Sequence, residues 1–226
     1  MPRFSSVTMD PLNDFVTRLG GARIEGPAFN QYAGYLSGHV AQANAVRRAN
    51  LNLYLDQMTA AGPALLLVGE APGYRGCRLT GIPFTSEAIL LNERIRPFGR
   101  PAGYRKASGH AGVAKEATAT IVWSTLDSLW PRPLLWNAFP FHPHWSGRPL
   151  SNRRPRADEL KLGASFLVEL IDLIPVRVVA AVGKSAAAAL TQAGVSDYHM
   201  LRHPSHGGKA DFRAGLLKLL ANLPTT

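Results

Sequence analysis

Residues 64–73, ALLLVGEAPG, run an apolar stretch straight into a turn made of glycine, proline and one glutamate. The stretch is too short for a helix and lacks the polar alternation of a half-exposed strand. Between Pro63 and Gly69 it predicts a strand buried on both faces, over residues 64–68. Such strands belong to parallel sheets covered by helices, and the same pattern recurs along the chain. Residues 133–136 (PLLW) lead to Asn137. Residues 176–182 (VRVVAAV) are rich in β-branched side chains and stop at Gly183. Residues 197–201 end at Arg202 and His203.

The intervening segments suit helices. These are residues 28–60, with breaks near Gly34 and Gly38; residues 86–91, opened by Ser86 as cap; residues 116–130; the amphipathic stretch 157–174; an alanine-rich helix from Ser185; and residues 209–222. Strands alternating with helices predict an α/β protein, a three-layer α/β/α sandwich around a central four-stranded, mostly parallel sheet. Residues 1–27 are mixed, punctuated by glycine and proline, and expected at the surface. Residues 1–226 are expected to form one domain, interrupted around 92–115 by a basic loop, NERIRPFGRPAGYRKASGHAGVAK.

Charge narrows the partner. Lys and Arg number 25 against 15 Asp and Glu, for a formal net charge of +10. Charge of that sign and size points to a polyanion, nucleic acid above all. The single cysteine, Cys77, excludes an internal disulfide, a Cys-rich zinc site and an iron–sulfur cluster. No cofactor and no metal are expected. No apolar leader opens the sequence and no run is long enough for a bilayer, so a cytoplasmic protein without membrane association is expected. A monomer is the expectation for such a fold.

Three polar residues stand just past proposed strand ends: Glu70, Asn137 and His203. In open α/β sheets ligands bind at that edge, so the three are expected to converge on one crevice. Asn137 offers a donor and an acceptor side by side, the match for an adjacent ring carbonyl and N–H such as O4 and N3–H of uracil. Phe84, in GIPF, offers a face to a flat base. His203 can donate to a developing oxyanion, and Glu70 can orient water or stabilise positive charge on a sugar. Each also has an ordinary reading: a turn-closing Asn, a core Phe, a surface His, an ion-paired Glu.

The order of motifs says more than any one residue. GEAPG at 69–73, GIPF at 81–84, Asn137 closing a strand and His-Pro-Ser at 203–205 together resemble the uracil-DNA glycosylase superfamily. The nearest pattern is its GEAPG, family 4-like branch, although the iron–sulfur cysteines of that branch are missing here. NRRP at 152–155 is similar to the family's loop after its uracil-reading Asn. The resemblance implies Glu70 and His203 as catalytic residues. It implies Gly69, Ala71, Phe84 and Asn137 around the uracil, with Ala71 where some branches place a catalytic Asp. It implies DNA contacts from Pro72, Gly73, Arg153 and Arg154, and from Ser205, His206, Gly207 and Lys209 in a loop pressed into the minor groove. The implied partner is DNA containing uracil, whose base is flipped out and hydrolysed from its sugar. The basic residues of the 94–115 loop are further candidates for phosphate contacts.

Other readings are weaker. Gly183-Lys184-Ser185 follows a strand, but Val178 stands where a P-loop needs its first glycine. His142-Pro143-His144 has no third metal partner in view. A DNA-binding protein without turnover, and a small-molecule hydrolase, are the remaining function classes. The second predicts no salt-dependent DNA affinity.

Overall fold

The computed structural model describes residues 10–127, 129, 132–205 and 207–223. Its centre is a four-stranded sheet of β2 (Leu65–Gly69), β3 (Leu134–Asn137), β5 (Val178–Val182) and β6 (His199–Leu201). The spatial order is β3-β2-β5-β6 and every pair is parallel. Every residue of β2 and β3 is buried, as strands covered on both faces require. The fold is α/β, with the sheet flanked by helices. The four strands fall within one or two residues of the sequence expectation, and Asn137 is the last residue of its strand rather than the first beyond it.

Helices α6 (Ala157–Leu173) and α7 (Lys184–Gln192) pack on the sheet, and α8 (Lys209–Ala221) packs against β6. The core is aromatic around β3: the Phe15 ring lies 5.5 Å from Trp136 and 6.1 Å from Phe166. A second aromatic group joins Phe98 to Tyr54, Tyr104 and Trp123. Phe98 and Tyr104 come from the basic 92–115 segment, which has no helix or strand yet is anchored in the core by these rings. Its cations stay at the surface while its aromatic residues are buried.

Two expectations need correction. Residues 10–21 are not surface coil. Asp10 caps α1 (Pro11–Gly21) by accepting from the Leu12 N–H at 3.1 Å, and the helix buries Leu12, Phe15, Val16 and Leu19. Nor do residues 28–60 run as helix from the start. β1 (Ala28–Phe29) pairs antiparallel with β4 (His142–Pro143), and α2 (Gly38–Ala61) begins ten residues later. The short helices α3 (Cys77–Thr80) and α4 (Glu87–Leu90), with α5 (Ala117–Leu126), fill the connection from β2 to β3. Among the described residues no helix is long and apolar enough to cross a membrane.

Candidate active site

The register of the sheet builds the site. Gly69 and Asn137 are direct partners at the carboxyl ends of β2 and β3. The Asn137 side chain therefore sits beside Gly69, and Phe84 reaches the same spot from the following loop. A Cβ on Gly69 would lie 2.6 Å from Phe84 Cζ and 2.8 Å from Asn137 Oδ1. Glycine is required here for close approach, since the space of its missing side chain is occupied by the ring and the amide. Asn137 is only 4% exposed.

Phe84 holds a left-handed backbone, φ +53°, a conformation a bulky residue adopts only when its surroundings enforce it. The enforcing contacts are visible. The Trp123 indole N–H donates to the Phe84 carbonyl at 3.0 Å. The Thr85 hydroxyl donates to the Ile82 carbonyl at 2.6 Å and lies 2.6 Å from the Thr80 hydroxyl.

His203 arrives two residues after β6. The Ser205 backbone N–H donates to His203 Nδ1 at 3.1 Å, and the Ser205 hydroxyl lies 2.7 Å from the same nitrogen. Nδ1 is thereby the accepting nitrogen, and in the neutral ring the proton sits on Nε2. Behind it, a Cβ on Gly183 (φ +90°) would lie 3.1 Å from His203 Cβ, so the turn after β5 is fitted against the imidazole.

Glu70, Ala71, Pro72, Gly73, Phe84, Asn137 and His203 line one cavity of about 200 Å³ at the carboxyl edge of the sheet. The convergence expected from the strand ends is what the structure contains. Glu70 is half-buried, and among the described residues no hydrogen bond or ion pair engages its carboxylate. Cys77 also borders the cavity, but burial pushes its thiol up to about 12, so it stays protonated and is no nucleophile at neutral pH.

Other implied residues are distributed differently. Arg153 lines the cavity but its fork is committed. It meets Glu159 bidentately at 2.7 and 2.6 Å, and donates to the carbonyls of His144 and Pro27 at 2.9 Å each. Its side chain is 6% exposed. It ties the β1–β4 ribbon to α6, so its guanidinium is engaged within the protein. Arg154, Gly207 and Lys209 are exposed. Ser205 serves His203, and His206 lies outside the described residues.

Three supporting residues were not identified as such in the sequence. The Asn152 side-chain oxygen accepts from the Tyr74 N–H at 3.0 Å. His142 is fully buried, with Nδ1 2.8 Å from the Pro72 carbonyl and Nε2 3.2 Å from the Pro149 carbonyl, so it braces the GEAPG loop. Desolvation lowers its pKa to about 4. Trp123 is the third, through Phe84. Among the described residues no cluster of three or more His, Cys, Asp or Glu is arranged to hold a metal ion.

A parallel sheet with a small polar cavity at its carboxyl edge is the place where open α/β folds bind their ligands. The chain belongs to the uracil DNA glycosylase superfamily, whose family model matches residues 56–220. It is thus a glycosylase-type protein of a family that acts on DNA. The crystal structure of wild-type Pedobacter heparinus SMUG2 shares the fold, with a TM-score of 0.63 and 13% sequence identity, covering 94% of this chain and 97% of that one. No curated protein matches the sequence.

Proposed function

We propose that the protein is a monofunctional uracil-DNA glycosylase, which flips uracil out of DNA and hydrolyses the bond between its N1 and the sugar C1′. The observation that carries this reading is the buried Asn137 amide packed with the Phe84 ring over the bare Cα of Gly69. That arrangement matches uracil in two independent ways. Asn137 Nδ2 donates to O4 and Oδ1 accepts from N3–H, while the Phe84 ring supplies the apolar face. Cytosine reverses donor and acceptor at that edge and is refused, because a buried amide facing the wrong pattern keeps unpaired polar groups.

The chemistry follows from two charges. As the N1–C1′ bond breaks, the electron pair goes to the base and the sugar becomes oxocarbenium-like. His203 Nε2–H donates to uracil O2, where the negative charge gathers, while the Ser205 N–H occupies Nδ1 and leaves Nε2 as the donor. Glu70 lines the same cavity with an uncommitted carboxylate. It orients the water that adds to C1′ and favours the cationic sugar electrostatically. Water delivers OH to C1′ and its proton balances the departing uracil anion, so no metal or cofactor is needed. Flipping costs a few kcal/mol, which ring stacking and the paired hydrogen bonds offset.

The test is a labelled oligonucleotide with one dU, incubated with the protein in chelator and then cleaved with alkali. A strand break at dU, absent with His203→Ala, supports the assignment. Binding to the same DNA with no break under single-turnover conditions would overturn it in favour of a DNA-binding protein without turnover.

A further inference from the structure

The segment that walls the base cavity with Gly73, Gly76 and Cys77 turns Tyr74, Arg75 and Arg78 to a second depression. This groove has a volume of about 520 Å³, and the tail of the basic segment, including His110 and Lys115, closes its other side. The two hollows are therefore next to each other: Lys115 faces the groove and Glu116, the following residue, borders the cavity.

Cations outnumber anions in the groove, with Arg75, Arg78 and Lys115 against Glu87. Among the described residues, Arg75, Arg78 and Lys115 form no ion pair. The carboxylate in the wall, Glu87, is fully buried and already accepts from the Ala114 N–H at 2.9 Å and from the Ser108 hydroxyl. Arg78 is the telling residue. Its guanidinium is half-buried, stands 5.2 Å over the Phe29 ring, and has a buried Nε with no hydrogen-bond partner. Its charged neighbour Arg47 adds repulsion, and burial lowers the pKa of both guanidinium groups. The terminal nitrogens of Arg78 make no hydrogen bond or ion pair among the described residues, and they offer the planar pair of donors from which phosphate oxygens accept.

We propose that this groove is a second DNA subsite, which takes the phosphate backbone of the strand adjoining the flipped nucleotide, with Arg78 as buried anchor and Arg75 and Lys115 as its exposed flank. The proposal rests on the DNA reading above, and it gives the far end of the 92–115 segment its task. The strand enters the base cavity on one side of the Tyr74–Arg78 wall and runs along the other, so the groove reads charge and not sequence.

The test is fluorescence anisotropy with a single-stranded 15-mer carrying a stable abasic analogue, titrated over a range of salt. Each phosphate contact on a single strand contributes about 0.7 to the slope of log affinity against log salt. Arg75→Gln/Lys115→Gln, both at exposed positions, should lower that slope by roughly 1.4 and weaken binding roughly tenfold at low salt. Arg78→Gln should lower it by about 0.7. Lys161→Gln/Lys218→Gln removes the same charge elsewhere and should leave the slope unchanged. Oligonucleotides extended on only one side of the lesion should gain affinity in the native protein on one side alone, and the double variant should lose that gain. Equal effects from the groove and control pairs, or none from the groove pair, would overturn the subsite. Native protein that binds the 15-mer but never releases uracil from the dU oligonucleotide would sink the glycosylase reading while the variants still decide the groove. Native protein that binds no DNA would end both.

Discussion

The two ends of the sheet carry two different kinds of hollow. At the carboxyl edge lies the cavity of about 200 Å³ between Glu70, Phe84, Asn137 and His203. Beside the segments leading into β2 and β3 lies a larger one, about 550 Å³, walled by Met58, Ala61, Pro97, Phe98 and Ala102. Size points to the second and chemistry to the first. The larger hollow has three charged wall residues, Glu93, Arg96 and Arg132, and Arg132 directs donors to the carbonyls of Leu126 and Asp127 and to that of Arg96. The small one gathers an amide, an imidazole and a carboxylate around a common space, with the imidazole held by Ser205. The lesson is that convergence of polar groups, and the strain and burial spent to achieve it, marks a site better than volume does.

That contrast can be broken experimentally. His203→Ala should slow single-turnover base release by about 10²–10³-fold while DNA affinity stays near normal. Arg153→Met leaves the buried Glu159 carboxylate with Arg156 alone, through its backbone N–H at 2.8 Å and its guanidinium at 3.3 Å, so chemical denaturation should reveal a loss of about 1–3 kcal/mol in stability; a loss below about 1 kcal/mol would show the bracing to be dispensable. His142 supplies the pH arm. Its pKa is about 4 in the folded protein, below its ordinary value, so the unfolded chain binds the proton first as pH falls. Stability should be complete above about pH 6.5 and decline by up to roughly 3 kcal/mol as pH approaches 4. His142→Asn should flatten that part of the melting-temperature profile. Asn137→Asp should cut the preference for uracil over cytosine by roughly 10–100-fold, read as a ratio of excision rates. Last, Ala102→Leu in the large hollow should change excision less than about twofold and stability by no more than about 0.5 kcal/mol. A large drop in excision there would erase the distinction between the two ends.

How much of this was legible depends on the range of the interaction. The strands and their polar end residues were readable because a buried parallel strand is a local signal: a short apolar run with a hard stop. The α1 signal was also present. Leu12, Phe15, Val16 and Leu19 fall at helical spacing behind an Asp-Pro start, but nearby glycines and prolines obscured the pattern. The β1–β4 ribbon was not readable, because two residues pair with two others more than a hundred positions away. Side-chain partners were least visible of all. Arg153 and Arg78 look alike in sequence; one is spent on Glu159, whereas the other faces no acceptor. Ser86 likewise opens α4 as expected, yet its hydroxyl makes no cap and has no partner. Glu87 is taken up by the end of the basic segment.

The hydrogen bond from the Trp123 indole to the Phe84 carbonyl has an optical consequence. Phe84 lines the cavity proposed to take the base, and its carbonyl accepts from the indole of the buried Trp123. Pressure on that ring reaches the indole through one covalent residue and one hydrogen bond. On the proposed reading, a base stacking on Phe84 would perturb the Trp123 indole, and comparison with Trp123→Phe would separate that signal from the emission of the other three tryptophans.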